Sequence, residues 1–280
     1  MEKAVKRYAP IFVLPTFLAF VIGFILPFIE GLYLFFCQFT TVKDAKFIGI
    51  GNYQRIFTDS TFTNSFKFTV LFAVASIVLI NVIAFILALL LTRKLKGTNI
   101  FRTIFFMPNL IGGIVLGYIW QLLINGVLAH FNVTITADPK YGFWGMVILT
   151  NWQLIGYMMI IYIAGIQNIP TELIEAAEID GANKFQTLYK IIIPMTMPSV
   201  TICLFLTLTN CFKLFDQNLA LTAGGPAKKT AMLAYDIYTT FYNRNGWEGV
   251  GQAKAVIFFI IVAAISLTQL YFTRRKEVEN

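Results

Sequence analysis

A chain of 280 residues that is 58% hydrophobic and only 13% charged, with a mean hydropathy of +0.72, cannot be a soluble globular domain, because its surface would not stay in water. The apolar residues form long runs rather than the alternating strands of about ten residues that build a transmembrane barrel, so the reading is helical. One histidine and three cysteines, Cys37, Cys203 and Cys211, leave no stock for a metal cluster or a disulfide framework, and the net charge of +8 lacks the basic, aromatic-interleaved soluble face that nucleic acid requires.

Six stretches meet the requirement of roughly 17 to 25 apolar residues for a crossing: about 11–37, 68–92, 104–124, 143–166, 198–221 and 255–273. All charged residues except Glu30, Lys213 and Asp216 fall outside them. The first stretch reads as a retained span rather than a signal peptide, since it is long, carries Pro15 and Pro27 and lacks a small-residue cleavage site. The tails and segment 93–103 carry Lys3, Lys6, Arg7, Arg93, Lys94, Lys96, Arg102, Arg274, Arg275 and Lys276, ten basic residues in 28 positions, against nine in 81 for segments 38–67, 125–142 and 222–254. By the positive-inside rule both termini and segment 167–197 face the cytoplasm.

Segment 167–197 departs from the short basic inner loops: it is 31 residues long and carries Glu172, Glu175, Glu178 and Asp180 against Lys184 and Lys190. Pro170 and Thr171 mark a helix start with Thr171 as the expected N-cap, and Gly181 stops that helix. Asn183 and Gln186 have capping-box spacing for a second helix, along which Phe185, Leu188, Tyr189, Ile192 and Ile193 form an apolar stripe expected to pack on something.

Polar and aromatic side chains inside the spans are the candidates for contacting a transported solute. They are Asn109, Tyr118, Trp120 and Gln121 in the third span, Asn151, Trp152, Gln153 and Tyr157 in the fourth, and Thr207, Asn210 and Cys211 in the fifth. Thr207, Asn210 and Cys211 share a helix face at i, i+3 and i+4. Asn81, alone in an apolar span, reads as interhelical glue. Lys213 and Asp216, at i and i+3, have the spacing to pair with each other, and Glu30 to reach water or a partner across the bundle. No Walker A loop is present. Its nearest imitation, Ala223 to Thr230, has Ala223 and Lys228 where glycines are needed to cradle phosphate, so any ATP hydrolysis belongs to another chain.

Glu175-Ala176-Ala177, three residues, Gly181, nine residues and Ile191-Ile192-Ile193-Pro194 resemble the EAA loop of ABC importer permeases, departing only at Ile193, where that family usually has Leu. Leu221-Thr222-Ala223-Gly224-Gly225-Pro226 with Thr230, preceded by Phe215-Asp216, resembles the LT-x-GGP-x3-T signature of the maltose-type, MalF-like carbohydrate permeases. The resemblance implies an all-α integral membrane protein with six transmembrane helices and the type I permease fold, a single permease domain over 1–280, and a location in a bacterial or archaeal cytoplasmic membrane. It implies an EAA coupling hairpin whose Glu175, Ala176, Ala177, Asp180, Gly181 and Pro194 dock on an ATPase, and a sugar cavity to which Asn151, Tyr157, Thr207, Asn210, Cys211 and Asn109 are assigned. The implied partners are a second MalG-like permease subunit, two ATPase subunits that bind ATP and Mg, an extracytoplasmic sugar-binding protein, the sugar itself and the lipid bilayer. No cofactor is expected in this chain, nor any enzyme activity. The rivals are an importer of another solute such as glycerol-3-phosphate, which would favour cations in the spans where only Lys213 is found, and a secondary transporter, which would show inverted repeats and titratable midplane groups. His130, the sole histidine, sits in an outer loop.

Overall fold

Hydrocarbon offers backbone groups no hydrogen-bonding partner, so runs this apolar satisfy their own N–H and C=O groups as helices. A computed structural model describes residues 2–93 and 96–275, with side chains from Ile11 onward. Lys94 and Lys276 of the orientation signal lie outside the described residues, as do the side chains of Lys3, Lys6 and Arg7. In chain order, α1 (Glu2–Phe20) runs through a π turn (Val21–Ile25) into α2 (Leu26–Leu34), followed by the short strands β1 (Cys37–Gln38) and β2 (Lys46–Phe47) and by α3 (Gly51–Thr58). Then come α4 (Ser60–Leu91), α5 (Thr98–Phe106), α6 (Gly113–Leu128) and α7 (Pro139–Gln167). The short helices α8 (Thr171–Ile179), α9 (Lys184–Thr187) and α10 (Ile193–Met195) lead to α11 (Met197–Phe212), α12 (Asp216–Leu221), α13 (Leu233–Asn243) and α14 (Glu248–Arg274).

Among the described residues, five uninterrupted helical segments are long and apolar enough to cross a membrane: Ile11–Leu34, Ser60–Leu91, Gly113–Phe131, Pro139–Gln167 and Glu248–Arg274. Met197–Phe212 is the core of the sixth, and it meets the helical stretch Lys184–Met195 before it at a bend of 67°, so the pair reaches crossing length only when the two are counted together. Two expected spans are corrected. The third, read as 104–124, is broken: α5 ends at Phe106, a 3-10 turn covers Met107–Leu110, and the crossing helix begins at Gly113. Pro108, which has no N–H to give, sits in that turn, and hydropathy alone does not register the break. The fifth, read as 198–221, ends at Phe212 and resumes as α12 after Lys213, Leu214 and Phe215. Neither Gly nor Pro marks this second break; it follows from α12 packing on α6 at Gly113 and Gly117, where a glycine Cβ would lie 2.7 Å from the Asp216 Cβ and 2.6 Å from the Ala220 Cβ.

The chain divides into two compact units. In the first, Met1–Ser60 with Ile237–Phe259, β1 and β2 pair antiparallel, and the buried Asn52 amide donates to the carbonyls of Phe35 and Cys37 at 2.9 and 2.8 Å. Backbone N–H groups of Thr40 and Thr41 hold the Asp44 carboxyl below its usual range. Lys254, fully buried, donates to Asp59 Oδ2 at 2.8 Å and to Thr240 Oγ1 at 2.9 Å, and Arg244 reaches the same carboxylate oxygen at 3.2 Å. A buried ammonium is tolerable only with partners of this kind.

In the second unit, Thr61–Asp236 with Ile260–Asn280, Ile80, Ala84, Ala88 and Leu91 of α4 meet Met158, Met159, Tyr162 and Ile163 of α7 and Cys203 of α11. Small residues on α4 allow that approach. A polar ladder crosses the same three helices: Tyr162 Oη donates to Asn81 Oδ1 (2.7 Å), Asn81 Nδ2 to Thr207 Oγ1 (3.1 Å), and Thr207 Oγ1 to the Cys203 carbonyl (2.7 Å). Asn81 is the interhelical glue expected of it.

Candidate functional site

The acidic segment folds as two short helices about a glycine. Pro170, not Thr171, occupies the N-cap position of α8, and Thr171 is the first helical residue. At the other end the Ala182 N–H reaches the Ala177 carbonyl (2.9 Å) and the Gly181 N–H reaches Glu178 (3.1 Å), which together are a Schellman motif with Gly181 left-handed at φ +77°. Asn183 and Gln186 then close a reciprocal capping box, the Gln186 N–H on Asn183 Oδ1 at 2.9 Å and the Asn183 N–H on Gln186 Oε1 at 2.8 Å. Ala177 is buried, whereas Glu175, Ala176 and Asp180 are exposed and Pro194 is half-buried. The apolar stripe is divided: Leu188, Ile192 and Ile193 are half-covered, but Phe185 is 82% exposed and Tyr189 75%, and Ile179 across the turn is 86% exposed. The hairpin thus has both ends capped and three bulky apolar side chains, Ile179, Phe185 and Tyr189, left exposed.

The break after α11 opens a polar cavity of about 280 Å³. Asn109 from the broken third crossing, Gln153 from α7, Asn210 from α11, and Lys213, Asp216 and Gln217 at the second break line it. Gln217 Nε2 donates to Gln153 Oε1 (2.8 Å), and Gln153 Nε2 donates to the Ile111 carbonyl (3.2 Å), which the break has released from helical bonding. The buried Thr150 hydroxyl also lines the cavity and has no hydrogen-bond partner among the described residues. Planar amides with an ammonium and a carboxylate suit hydroxylated solutes, since they donate and accept in pairs.

Of the solute candidates read from the sequence, this cavity brings together Asn109, Gln153 and Asn210. Asn151, Tyr157, Thr207 and Cys211 lie outside its wall. The buried Asn151 amide donates to the Val147 carbonyl, and its Oδ1 is without a partner among the described residues. Tyr157 is half-buried, edge-on to Phe106. Thr207 and Cys211 are fully buried, so the shared face of α11 turns into the bundle and only its Asn210 edge reaches the cavity. Tyr118 and Trp152 are exposed on the surface, and Gln121 donates to the Leu221 carbonyl (3.0 Å). Glu30 and His130 are exposed. Lys213 and Asp216 both line the cavity, and no salt bridge joins them among the described residues. Gln153 and Gln217 are the residues that spacing alone did not single out as a pair, because the two helix breaks that join them are not visible in it.

The Leu221–Thr230 signature is a stitched loop rather than a free turn. The buried Asn218 donates to Thr222 Oγ1 (3.0 Å) and the Thr230 carbonyl (2.9 Å) and accepts from the Met232 N–H (2.9 Å), while Thr230 Oγ1 donates to the Gly225 carbonyl (2.6 Å). Asn218→Ala is therefore expected to destabilise the protein by about 1–3 kcal/mol for each buried group it leaves unpaired. Thermal unfolding of the purified variant measures this, and a transition at the wild-type temperature would refute it.

A helical membrane bundle with two broken crossings, a polar cavity at the breaks and an outlying capped hairpin has the architecture of a transport permease. Residues 82–278 match the family described as binding-protein-dependent transport system inner membrane component, and the chain belongs to that family. It is 46% identical over 277 residues, 96% of this chain and 94% of the relative, to a probable starch degradation products transport system permease protein of Thermoanaerobacterium thermosulfurigenes. It is 30% identical over 280 residues, 94% of each chain, to an sn-glycerol-3-phosphate transport system permease protein of Agrobacterium fabrum. Among solved structures, a chain of the bacterial alginate ABC transporter in complex with an alginate pentasaccharide-bound periplasmic protein superposes with a TM-score of 0.82 at 21% identity, covering 98% of this chain and 97% of that one.

Proposed function

We propose that this permease carries a sugar or oligosaccharide into the cell and forms half of the translocation pathway as a single permease domain. The observation that carries the reading is the polar cavity: it offers amide groups from four elements, and its one ammonium, Lys213, is matched in charge by the carboxylate of Asp216. A phosphate ester would leave that carboxylate facing a like charge, which disfavours the glycerol-3-phosphate reading despite the relative of that name. The relative named for starch degradation products supports a neutral carbohydrate. In this reading a second MalG-like permease supplies the other half of the pathway, and of two ATPase subunits with bound ATP and Mg one docks on the α8–α9 hairpin through Glu175, Ala176, Ala177, Asp180, Gly181 and Pro194, the other on the partner permease. An external binding protein delivers the sugar. Both termini and segment 167–197 lie in the cytoplasm, supported by the placement of basic residues.

Uptake of labelled malto-oligosaccharides, compared with labelled glycerol-3-phosphate, by vesicles holding the assembled complex tests the substrate. Uptake of glycerol-3-phosphate alone would overturn it. Asn210→Ala and Gln153→Ala are each expected to lower uptake at subsaturating sugar about two- to tenfold, the consequence of losing one hydrogen bond worth about 0.5–1.5 kcal/mol. Asn151→Ala and Tyr157→Phe are proposed to have effects of the same size if their free polar atoms meet the sugar along its path. Wild-type uptake in either pair removes that pair from the pathway.

A further inference from the structure

We propose that the hollow between the hairpin and the ends of α4 and α7 binds an anionic phospholipid of the inner leaflet. It is separate from the polar cavity and, at about 610 Å³, more than twice its size. Leu89 from the last turn of α4, Ile166 from the last turn of α7, Ile174 of α8 and Ile192 of the π-helical stretch Leu188–Ile192 between α9 and α10 line it as its apolar part. Arg93 and Lys184 stand on its wall with one carboxylate, Glu178, so the charged lining carries a surplus of positive charge. An apolar lining with surplus cations fits an amphiphile with an anionic head: acyl methylenes cover the apolar part, and the phosphate accepts from the Arg93 guanidinium and the Lys184 ammonium. A free phosphate would leave the apolar part against water, and a neutral headgroup would leave the cations without a counter-charge.

Depth agrees with the assignment. Leu89 and Ile166 belong to the final turns of two crossing helices, and Arg93 follows immediately, so apolar part and cations fall at acyl and headgroup level. The two sides of α8 are also divided. Thr171, Ile174 and Glu178, at i, i+3 and i+7, line the hollow, whereas Glu175 and Ile179 do not. A bound lipid therefore braces the hairpin from its inner side and leaves the side of Glu175 open to the ATPase. The inference rests on the cytoplasmic placement of this segment proposed above.

The test uses the assembled complex in phosphatidylcholine vesicles containing a photoactivatable phosphatidylglycerol or, in parallel, a photoactivatable phosphatidylcholine, with labelled peptides quantified by mass spectrometry. The phosphatidylglycerol probe is expected to label peptides around 166–174 and 184–192 several times more than the phosphatidylcholine probe. Arg93→Gln combined with Lys184→Gln is expected to cut that labelling more than tenfold, at roughly fivefold per cation. Equal labelling by the two probes overturns the proposal, as does unchanged labelling in the double variant. Displacement by millimolar soluble glycerol phosphate assigns the cations to a free phosphate ester and overturns it too. Should the double variant fail to assemble, the preference between probes in the wild-type complex decides alone. Orientation is read separately: with Cys37, Cys203 and Cys211 buried, an impermeant thiol reagent applied outside sealed cells is expected to leave Lys96→Cys unlabelled. Labelling there would overturn the cytoplasmic placement while leaving probe selectivity to be judged on its own.

Discussion

Gly156→Ala is expected to abolish the folded permease. A Cβ at Gly156 of α7 would lie 1.8 Å from the Phe105 carbonyl oxygen, 2.2 Å from its carbon and 2.7 Å from the Phe106 nitrogen. Those are backbone atoms at the end of α5, so no side chain can swing away, and the cost exceeds the roughly 1–3 kcal/mol typical of an overfilled core. Relief requires α5 to lift from α7. That movement drags the break at Met107–Leu110 with it, withdrawing the Ile111 carbonyl from Gln153 and Asn109 from the polar cavity. Size-exclusion profiles of the tagged complex are the measurement: loss of the monodisperse peak is expected for Gly156→Ala and a wild-type profile for Gly126→Ala, whose added Cβ meets nothing within 4 Å. Equal profiles for both variants would refute the close approach of α5 and α7.

Loss of ATP-driven transport is the expected outcome of two changes in the hairpin that act by different means. Gly181 stands at φ +77° with open space around it, so only backbone conformation demands glycine there. A β-branched side chain tolerates that region poorly, and Gly181→Val should undo the Schellman turn and let α8 run on out of line with α9. Gly181→Asn, which enters the left-handed region more readily, is expected to keep most transport. Glu175→Lys leaves the backbone alone and replaces an exposed carboxylate with a charge that repels a basic partner site. Neither change touches a crossing helix or the flanking basic residues, so both variants should insert normally. Reconstituted complexes then separate weak ATPase association from hydrolysis that the loaded binding protein no longer stimulates. Wild-type transport in Gly181→Val and Glu175→Lys together would remove the coupling role from this hairpin.

The hairpin was legible residue by residue because its determinants are local. Gly181 and the Asn183–Gln186 box satisfy backbone groups within five residues of themselves, so spacing predicts them. The one local error, Thr171 for Pro170 at the N-cap, is a shift of a single position. The solute candidates behaved otherwise. Thr207, Asn210 and Cys211 share a helix face in the sequence, yet two of them turn into the core, where Asn81 of α4 engages the Thr207 hydroxyl.

Composition and the run of apolar residues by themselves determined that this chain is a helical membrane protein with about six crossings, since hydrocarbon permits no other use of such runs. The EAA spacing and the glycine-proline signature likewise placed it among importer permeases. Only the tertiary structure decided where the third and fifth crossings break, that Gly113 and Gly117 receive α12, and that Gln153 meets Gln217 over a cavity holding Lys213 and Asp216. It also decided that Lys254, counted in the sequence as one of the charges of an outer loop, is buried against Asp59. These features depend on contacts between residues up to 195 positions apart, and hydropathy measures each residue's affinity for lipid without recording which neighbour it meets.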